Sequence, residues 1–528
     1  MFDYIVIGAG SAGCVLAARL SEDPSNKVLL LEAGPNDKHP MIHMPGGAAE
    51  VLKSKTLNWQ NYSVPQKNLN NRRLYVPRGK MLGGSSSING MVYIRGHASD
   101  YDDWAEAGNT GWAYKDVLPY FKKSENNVRG ANDFHGVGGG LNVIDAPSQN
   151  ILFDRFIEAG VELGHPRCDD FNGADQEGFG RFQATIRNGR RCSSAVAFLT
   201  PQVRKRPNLT ILPGAHVKQI IINTDKVIGV EYLQGRKLER AMVSKEVVVS
   251  AGAIKSPQIL QLSGVGHAED LKKAGVVLKV ELPGVGRNLQ EHLDVVLNYT
   301  CTQPITLNGP ATKLHLQAKT AMDYFLFNKG IATCNQIEGG AFVKSSPELS
   351  RPDIQMHFVP VLMTGLIDPV PKQDGVTVHA CKLRPESSGT IMITSSDPKD
   401  EPLIDFNFCS TEGDWQTLIK CYELCRDLMA AKAWGDLIGG SWRPDHELHK
   451  EEDIREFIRN HADTVYHPVG TCKMGSGEDA VVDHELKVRG VQGLRVADAS
   501  IIPKLIGGNT NAPAIMIGEK CADMMLNH

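Results

Sequence analysis

The chain opens on a short apolar run, Asp3-Tyr4-Ile5-Val6-Ile7, which predicts a buried parallel strand. A glycine-rich turn, Gly8-Ala9-Gly10-Ser11-Ala12-Gly13, leads into Cys14-Val15-Leu16-Ala17-Ala18-Arg19-Leu20, an apolar helix. Lys27–Leu31 reads as a second strand and ends at Glu32. Further strands are predicted at Leu209–Leu212, Asp353–Phe358, Val376–His379, Glu246–Ser250 and Leu494–Ala497. Ser256 has the chemistry of an N-cap with Pro257 at the first helical position, and Gly264 follows that helix. Pro513 suits the first turn of a helix over Ala514–Leu526. Leu314–Phe327 reads as an amphipathic helix or a loop over a pocket; a satellite core helix is a better reading than a lid or a membrane contact. No internal repeat is visible.

The first sixty residues carry four features in register: a strand, a GxGxxG turn, a helix, and an acid closing the next strand. Gly8 permits the tight turn, Gly10 lets a pyrophosphate approach the backbone, and Gly13 lets helix and strand pack closely. The helix start offers free N–H groups and a positive dipole end to phosphates. Glu32 can accept from ribose hydroxyls. The fingerprint alone leaves NAD and FAD open, and its place at the very start of the chain leans towards FAD.

Composition narrows the partners. A net charge of -3 over 528 residues offers no basic surplus for nucleic acid. With 41% hydrophobic and 22% charged residues the chain is ordinary for a globular protein. The 11 cysteines show no CxxC pair, so no metal site is expected, and they read as buried small hydrophobes in a reducing compartment. Met1-Phe2-Asp3 runs straight into a strand with no basic n-region, and no stretch reaches the ~20 apolar residues that span a bilayer. A cytoplasmic location follows, with a peripheral place on the inner membrane face also open, because an acceptor quinone would live in lipid.

The stretch Arg78-Gly79-Lys80-Met81-Leu82-Gly83-Gly84-Ser85-Ser86-Ser87-Ile88-Asn89-Gly90, continuing through Tyr93, Gly96 and Asp102, would alone pass for linker, but apolar residues bracket it. It resembles the first signature of the glucose–methanol–choline (GMC) oxidoreductase family. Gly252–Gly266 is similar to the second signature. Val285-Gly286-Arg287-Asn288-Leu289-Gln290-Glu291-His292 resembles the family's GVGxNLQDH stretch, with Glu291 in the Asp place. His467-Pro468-Val469-Gly470-Thr471-Cys472 and Gly508-Asn509-Thr510-Asn511 resemble its C-terminal catalytic segments. Within the family the chain looks most like bacterial aliphatic-alcohol dehydrogenases, with choline dehydrogenases close behind.

The resemblance implies FAD and a set of residues around it. Besides Gly8, Gly10, Gly13 and Glu32, these are Ser11, Ala12, Ala33, Trp59, Arg78, Gly83, Ser85, Asn89, Gly90, Met91, Val92, Ala251, Gly252, Tyr466, Asp498, Ala499, Asn509, Thr510 and Asn511. It sets Val217 against the adenine, and a plain strand residue is an equal reading there. Some members tether FAD through a His just before the Asn; that position is Ile88 here, so non-covalent FAD is expected. Oxidising an alcohol needs a base, a donor to hold the oxygen, and an electron sink facing the carbon. His467 is the expected base, since imidazole titrates near neutrality. Asn511 stands where the family has a second His or an Asn, and is the expected oxygen donor. The helix after it could steady negative charge on the flavin. Cys472 suggests a thiol nucleophile, but nothing in its surroundings would activate it. Glu338 could face a cation such as choline, and a hydrogen-bonded structural acid is the better reading.

The expected fold is α/β, α+β overall: a Rossmann-like FAD-binding domain over residues 1–295 (core segments 1–155 and 200–295), a discontinuous substrate domain over 296–464 on a mainly antiparallel sheet, and a return over 465–528 that carries the catalytic residues. The expected reaction is oxidation of a primary alcohol to the aldehyde. Choline dehydrogenation, an oxygen-using alcohol oxidase and a non-catalytic flavin sensor are the alternatives. The acceptor, quinone or oxygen, leaves no mark in the sequence, and neither does the oligomeric state.

Overall fold

The computed structural model describes residues 1–527. In chain order its main elements begin with strand β1 (Phe2–Ile7), helix α1 (Ser11–Leu20) and β2 (Val28–Glu32). Then follow β3 (Gly178–Arg181), β4 (Leu209–Pro213), β5 (Ala215–Asn223), β6 (Lys226–Gln234), β7 (Lys237–Val249) and helix α2 (Gly252–Leu262). The second half holds β8 (Leu293–Cys301), α3 (Leu314–Phe327), β9 (Gly339–Val343), β10 (Ile354–Val359) and β11 (Gly375–Lys382). It closes with α4 (Glu412–Met429), β12 (Ile438–Arg443), α5 (Glu451–His461), β13 (Asp463–Thr464), β14 (Leu494–Val496) and α6 (Asn511–Leu526).

Two large sheets organise the chain. The first runs β4-β2-β1-β7-β6-β5, with β14 on β7. Its β4, β2, β1, β7 and β14 pair in parallel, with Val6 opposite both Leu30 and Val248. Strands buried on both faces need continuous apolar runs, and β2 is buried throughout. Helix α1 buries eight of its ten residues, and it packs against α6 from the far end of the chain. Each such Val, Leu or Ile contributes roughly 1.5–3 kcal/mol when fully buried.

The second sheet runs β12-β8-β11-β10-β9-β3, with β13 on β8, and every pairing in it is antiparallel. Its inner face and α4 enclose a separate core that includes Cys421 and Cys425. β3 comes from the stretch between 155 and 200, which the sequence reading puts within the 1–295 domain but outside its core segments; here it joins the second sheet. All 11 cysteines are buried and unpaired by disulfides. No helix among the described residues is long and apolar enough to cross a membrane, and no metal-binding cluster of His, Cys, Asp or Glu occurs among them.

Three local expectations are corrected. Helix α2 starts at Gly252, so Ser256 and Pro257 lie inside it. Pro257 has no N–H for the Ala253 carbonyl, and the Thr471 hydroxyl donates to that carbonyl at 2.6 Å instead. Ser256 Oγ donates to Asp498 Oδ2, and Asp498 also accepts from Gly252 N at 2.8 Å, so the helix is capped by an acid from the C-terminal region. Helix α6 starts at Asn511, three residues before the expected Ala514. Helix α3 has the predicted bounds but buries only Tyr324, so it is not a core helix.

Candidate active site

A cavity of about 560 Å³ is walled by residues of both sheets, from Glu32 and Trp59 to His467 and Asn509. Of the residues expected around a cofactor, all but two line it. Gly13 and Gly83 stand behind the wall. A Cβ on Gly13 would sit 1.8 Å from the Gly8 carbonyl oxygen, so only glycine allows this contact of α1 with the turn. Gly83 N donates to Ala9 O at 2.7 Å, which ties the second glycine pair to the dinucleotide loop. A Cβ on Gly10 would meet nothing closer than 3.8 Å, so space is open where a pyrophosphate must approach.

At this end the backbone supplies the chemistry. Gly10 caps α1 without a side-chain acceptor, which leaves first-turn N–H groups available. Glu32 accepts from Ala9 N at 3.0 Å and Gly34 N at 2.8 Å, and burial pushes its carboxyl up to about 7. The Trp59 ring carries the ammonium groups of Lys80 and Lys255, each 4.4 Å from its centre, and meets His216 edge to face. Uncapped N–H groups, open space at Gly10 and an oriented carboxylate at the strand end fit a dinucleotide such as FAD. Ile88 lines the cavity with no nucleophilic atom.

The other end is made of side chains. His467 follows β13, His292 precedes β8, Gln355 lies on β10, and Asn509 precedes α6. Glu291 is buried and accepts from the backbone N of His292 at 2.9 Å and of His467 at 2.7 Å, which fixes both backbones. Burial pushes the Glu291 carboxyl up to about 8, although the Arg78 guanidinium opposes this.

Hydrogen-bond roles follow from the carbonyl at the end of the chain of contacts. Leu383 O can only accept, so His292 Nε2 donates to it at 2.9 Å. Burial pushes the His292 imidazole down to about 4, so it is neutral and its Nδ1 carries a lone pair. His467 Nδ1 lies 3.0 Å from that lone pair and must donate. The His467 imidazole is held well below its ordinary value by burial first, then by the fields of His292, His357 and Arg78. It is neutral as well, which leaves Nε2 as the bare, basic nitrogen. Asn509 Nδ2 donates to this Nε2 at 3.1 Å, and Gln355 Nε2 holds the Asn509 oxygen at 3.0 Å.

Two sequence expectations change here. The imidazole does not titrate near neutrality, because four neighbouring influences disfavour its cation. Asn509, which the resemblance set beside the cofactor, is the amide that lies against the imidazole, and Asn511, the expected oxygen donor, is not. Asn511 Oδ1 accepts from Ser11 Oγ at 2.7 Å, and its Nδ2 has no hydrogen-bond partner among the described residues. The sequence assigns His292 no role; its place beside Glu291 in the Val285–His292 stretch is the one local signal for it. Cys472 is excluded as a nucleophile by burial, which raises its thiol well above the ordinary range.

The remaining wall mixes apolar residues, Val296, Ile337, Val359, Met363, Leu366 and Val465, with charged and polar ones, among them Arg72, Arg443, Asp463 and His461. Asp294 Oδ2 and His379 Nδ1 lie 2.6 Å apart in it. The aromatic lining residues other than histidines are Trp59 and Tyr466. Glu338 is outside the cavity, accepts from Ser148 N and pairs with Arg181 at 3.5 Å, as a structural acid would.

Comparison with known proteins agrees over the whole chain. The family described as GMC oxidoreductase matches residues 2–294 in its N-terminal part and 385–518 in its C-terminal part. The oxygen-dependent choline dehydrogenase of Escherichia coli K12 is 47% identical over 99% of this chain and 95% of its own length. Pyridoxine 4-oxidase from Mesorbium loti superposes with a TM-score of 0.91 at 30% identity, covering 100% of both chains. An FAD-dependent oxidoreductase from Chaetomium thermophilum gives a TM-score of 0.90 at 27% identity, over 100% of this chain and 99% of that one.

Proposed function

Because the chain belongs to the GMC oxidoreductase family, and is thereby an FAD flavoprotein, we propose that it oxidises a primary alcohol to the aldehyde. The bare Nε2 of His467 carries this reading. It takes the hydroxyl proton of R–CH₂–OH. Bound FAD supplies the two-electron sink that accepts the carbinol hydride, so proton and electron pair both leave the alcohol. Asn509 Nδ2, which reaches His467 Nε2 at 3.1 Å, turns to donate to the alcohol oxygen when the hydroxyl takes its place at Nε2 and negative charge builds there. Asn511, whose Oδ1 accepts from Ser11 Oγ, stays with the cofactor end. The first turn of α6, with Thr510 and Asn511 at the cavity, offers backbone N–H groups and a positive dipole end to the reduced cofactor. Electrons then pass to a non-nicotinamide acceptor, a quinone or oxygen.

Medium-chain aliphatic alcohols suit the site better than choline. Val296, Ile337, Val359, Met363, Leu366 and Val465 offer apolar wall to an alkyl chain, the Asp294 carboxylate already has His379 as partner, and no cluster of aromatic rings is present to cage a quaternary ammonium. Choline is the second reading, favoured by the 47% identity to a choline dehydrogenase. The test compares kcat/KM for a series of primary alkanols, an aryl alcohol and choline, with an artificial dye and with oxygen separately. Higher values for alkanols are expected. A choline value well above the best alkanol reverses the substrate assignment, and no turnover of any alcohol with FAD bound defeats the whole reading.

A further inference from the structure

Helix α3 is unusual for what it exposes. Of its fourteen residues only Tyr324 is buried. Leu314 is 80% exposed, Phe325 58%, Leu326 71% and Phe327 58%. Leu314, Ala318, Ala321, Met322 and Phe325 recur at helical spacing and form one stripe, which in a globular helix would face the core. Here the stripe faces outward. Contiguous exposed apolar surface of this kind marks a contact with something else.

The charge around the stripe says what that is. Lys313, Lys319 and Lys329 are exposed beside it, against one acid, Asp323, which Lys319 already bridges. This basic rim runs against a net charge of -3 for the chain. Large apolar side chains flanked by lysines are the pattern of a helix lying in a membrane interface, with the cations among anionic headgroups. A two-fold pairing of this face with a second copy would set lysine rim against lysine rim.

We propose that α3 docks the protein on an anionic lipid bilayer. The docking face lies next to the cavity wall. Tyr324 Oη donates to His43 O, and the turn Ile331–Thr333 after α3 packs on Pro45–Gly47. The helix that follows, Ala48–Leu52, places Ala48 and Leu52 in the cavity lining. An alcohol or acceptor dissolved in lipid would thus meet the protein beside this wall. The docking does not depend on which alcohol is oxidised.

The FAD-loaded protein is tested by flotation with phosphatidylglycerol-containing vesicles and with pure phosphatidylcholine vesicles, alongside size-exclusion analysis without lipid. Binding to the anionic vesicles that falls in high salt is expected. The double variant Lys313→Gln, Lys329→Gln should weaken it by roughly 30-fold, two interfacial charges. The variant Phe325→Glu, Leu326→Glu should abolish it, with dye-linked activity in solution unchanged. Equal binding of either variant and the parent overturns the proposal. So does failure of the parent to float, or a dimer in solution that the Phe325→Glu, Leu326→Glu change dissolves.

Discussion

At the dinucleotide end of the cavity the binding groups are backbone N–H groups, and the critical residues are those without side chains. At the alcohol end the groups are side chains from positions 292, 355, 467 and 509, each oriented by the next. The first kind of site depends on close approach, and any added atom damages it. The second depends on a sequence of donors and acceptors, and a wrong partner damages it while the walls stay in place. Cofactor retention and chemistry should therefore fail separately.

The largest effect should come from Gly13→Val. A Cβ 1.8 Å from the Gly8 carbonyl forces the turn and α1 apart. The purified variant should lack flavin absorbance and fail to recover it with added FAD; a yellow Gly13→Val protein would break the distinction. His467→Ala should do the reverse, keeping FAD while flavin reduction by alcohol slows by roughly 10²–10⁴-fold, the contribution of a general base. Anaerobic stopped-flow with flavin content measured first is the check, and a rate equal to the parent moves the base elsewhere.

His292→Phe should come next. Phenylalanine fills the buried space but cannot accept from His467 Nδ1, so the imidazole is free to carry its proton on Nε2. Reduction should slow on the order of 10–100-fold, as for groups that act by orienting a ligand, with FAD content unchanged. A merely structural role would leave the pH profile of the remaining activity alone, whereas loss of this acceptor should displace its acid limb.

The parent's own pH profile is the milder test. The His467 imidazole is held below its ordinary value, so the basic form persists as pH falls and is lost only on crossing that lowered value. The acid limb of kcat/KM should lie below pH 6.5, the ordinary imidazole value. A limb above pH 7 would contradict the burial argument. Smallest of all, acid precipitation should leave the flavin in the supernatant, since Ile88 offers no atom for a covalent bond; yellow protein in the pellet would show a tether made elsewhere.

The difference between the two ends also decided what the sequence revealed. The dinucleotide end is local: turn, helix start and Glu32 fall within one stretch of chain, so spacing alone described it. The parallel strands were legible because double burial demands continuous apolar runs. His467 and Asn511 became visible through family resemblance, but the partners that define them did not. The tautomer of His467 rests on the Leu383 carbonyl, reached through a histidine 175 positions away. Ser256 and Pro257 mimic a helix start locally, and the true cap, Asp498, comes from 246 positions beyond Gly252. The pattern of α3 predicted its bounds, yet periodicity cannot say which way an apolar stripe points.

The closing of the first sheet by β14 and of its helical face by α6 has a consequence for how the protein is made. A ribosome releases β1 and α1 almost a full chain length before their last neighbours. Through most of synthesis the dinucleotide turn lacks α6 beside it, and Gly252 lacks the acid that caps its helix. Loading of the cofactor is then a late event, open only after the C-terminus has emerged, and nascent chains stalled before residue 494 should stay protease-sensitive even in excess FAD. Losing the last thirty residues would cost more than a tail: it would leave the first thirty without a place to settle.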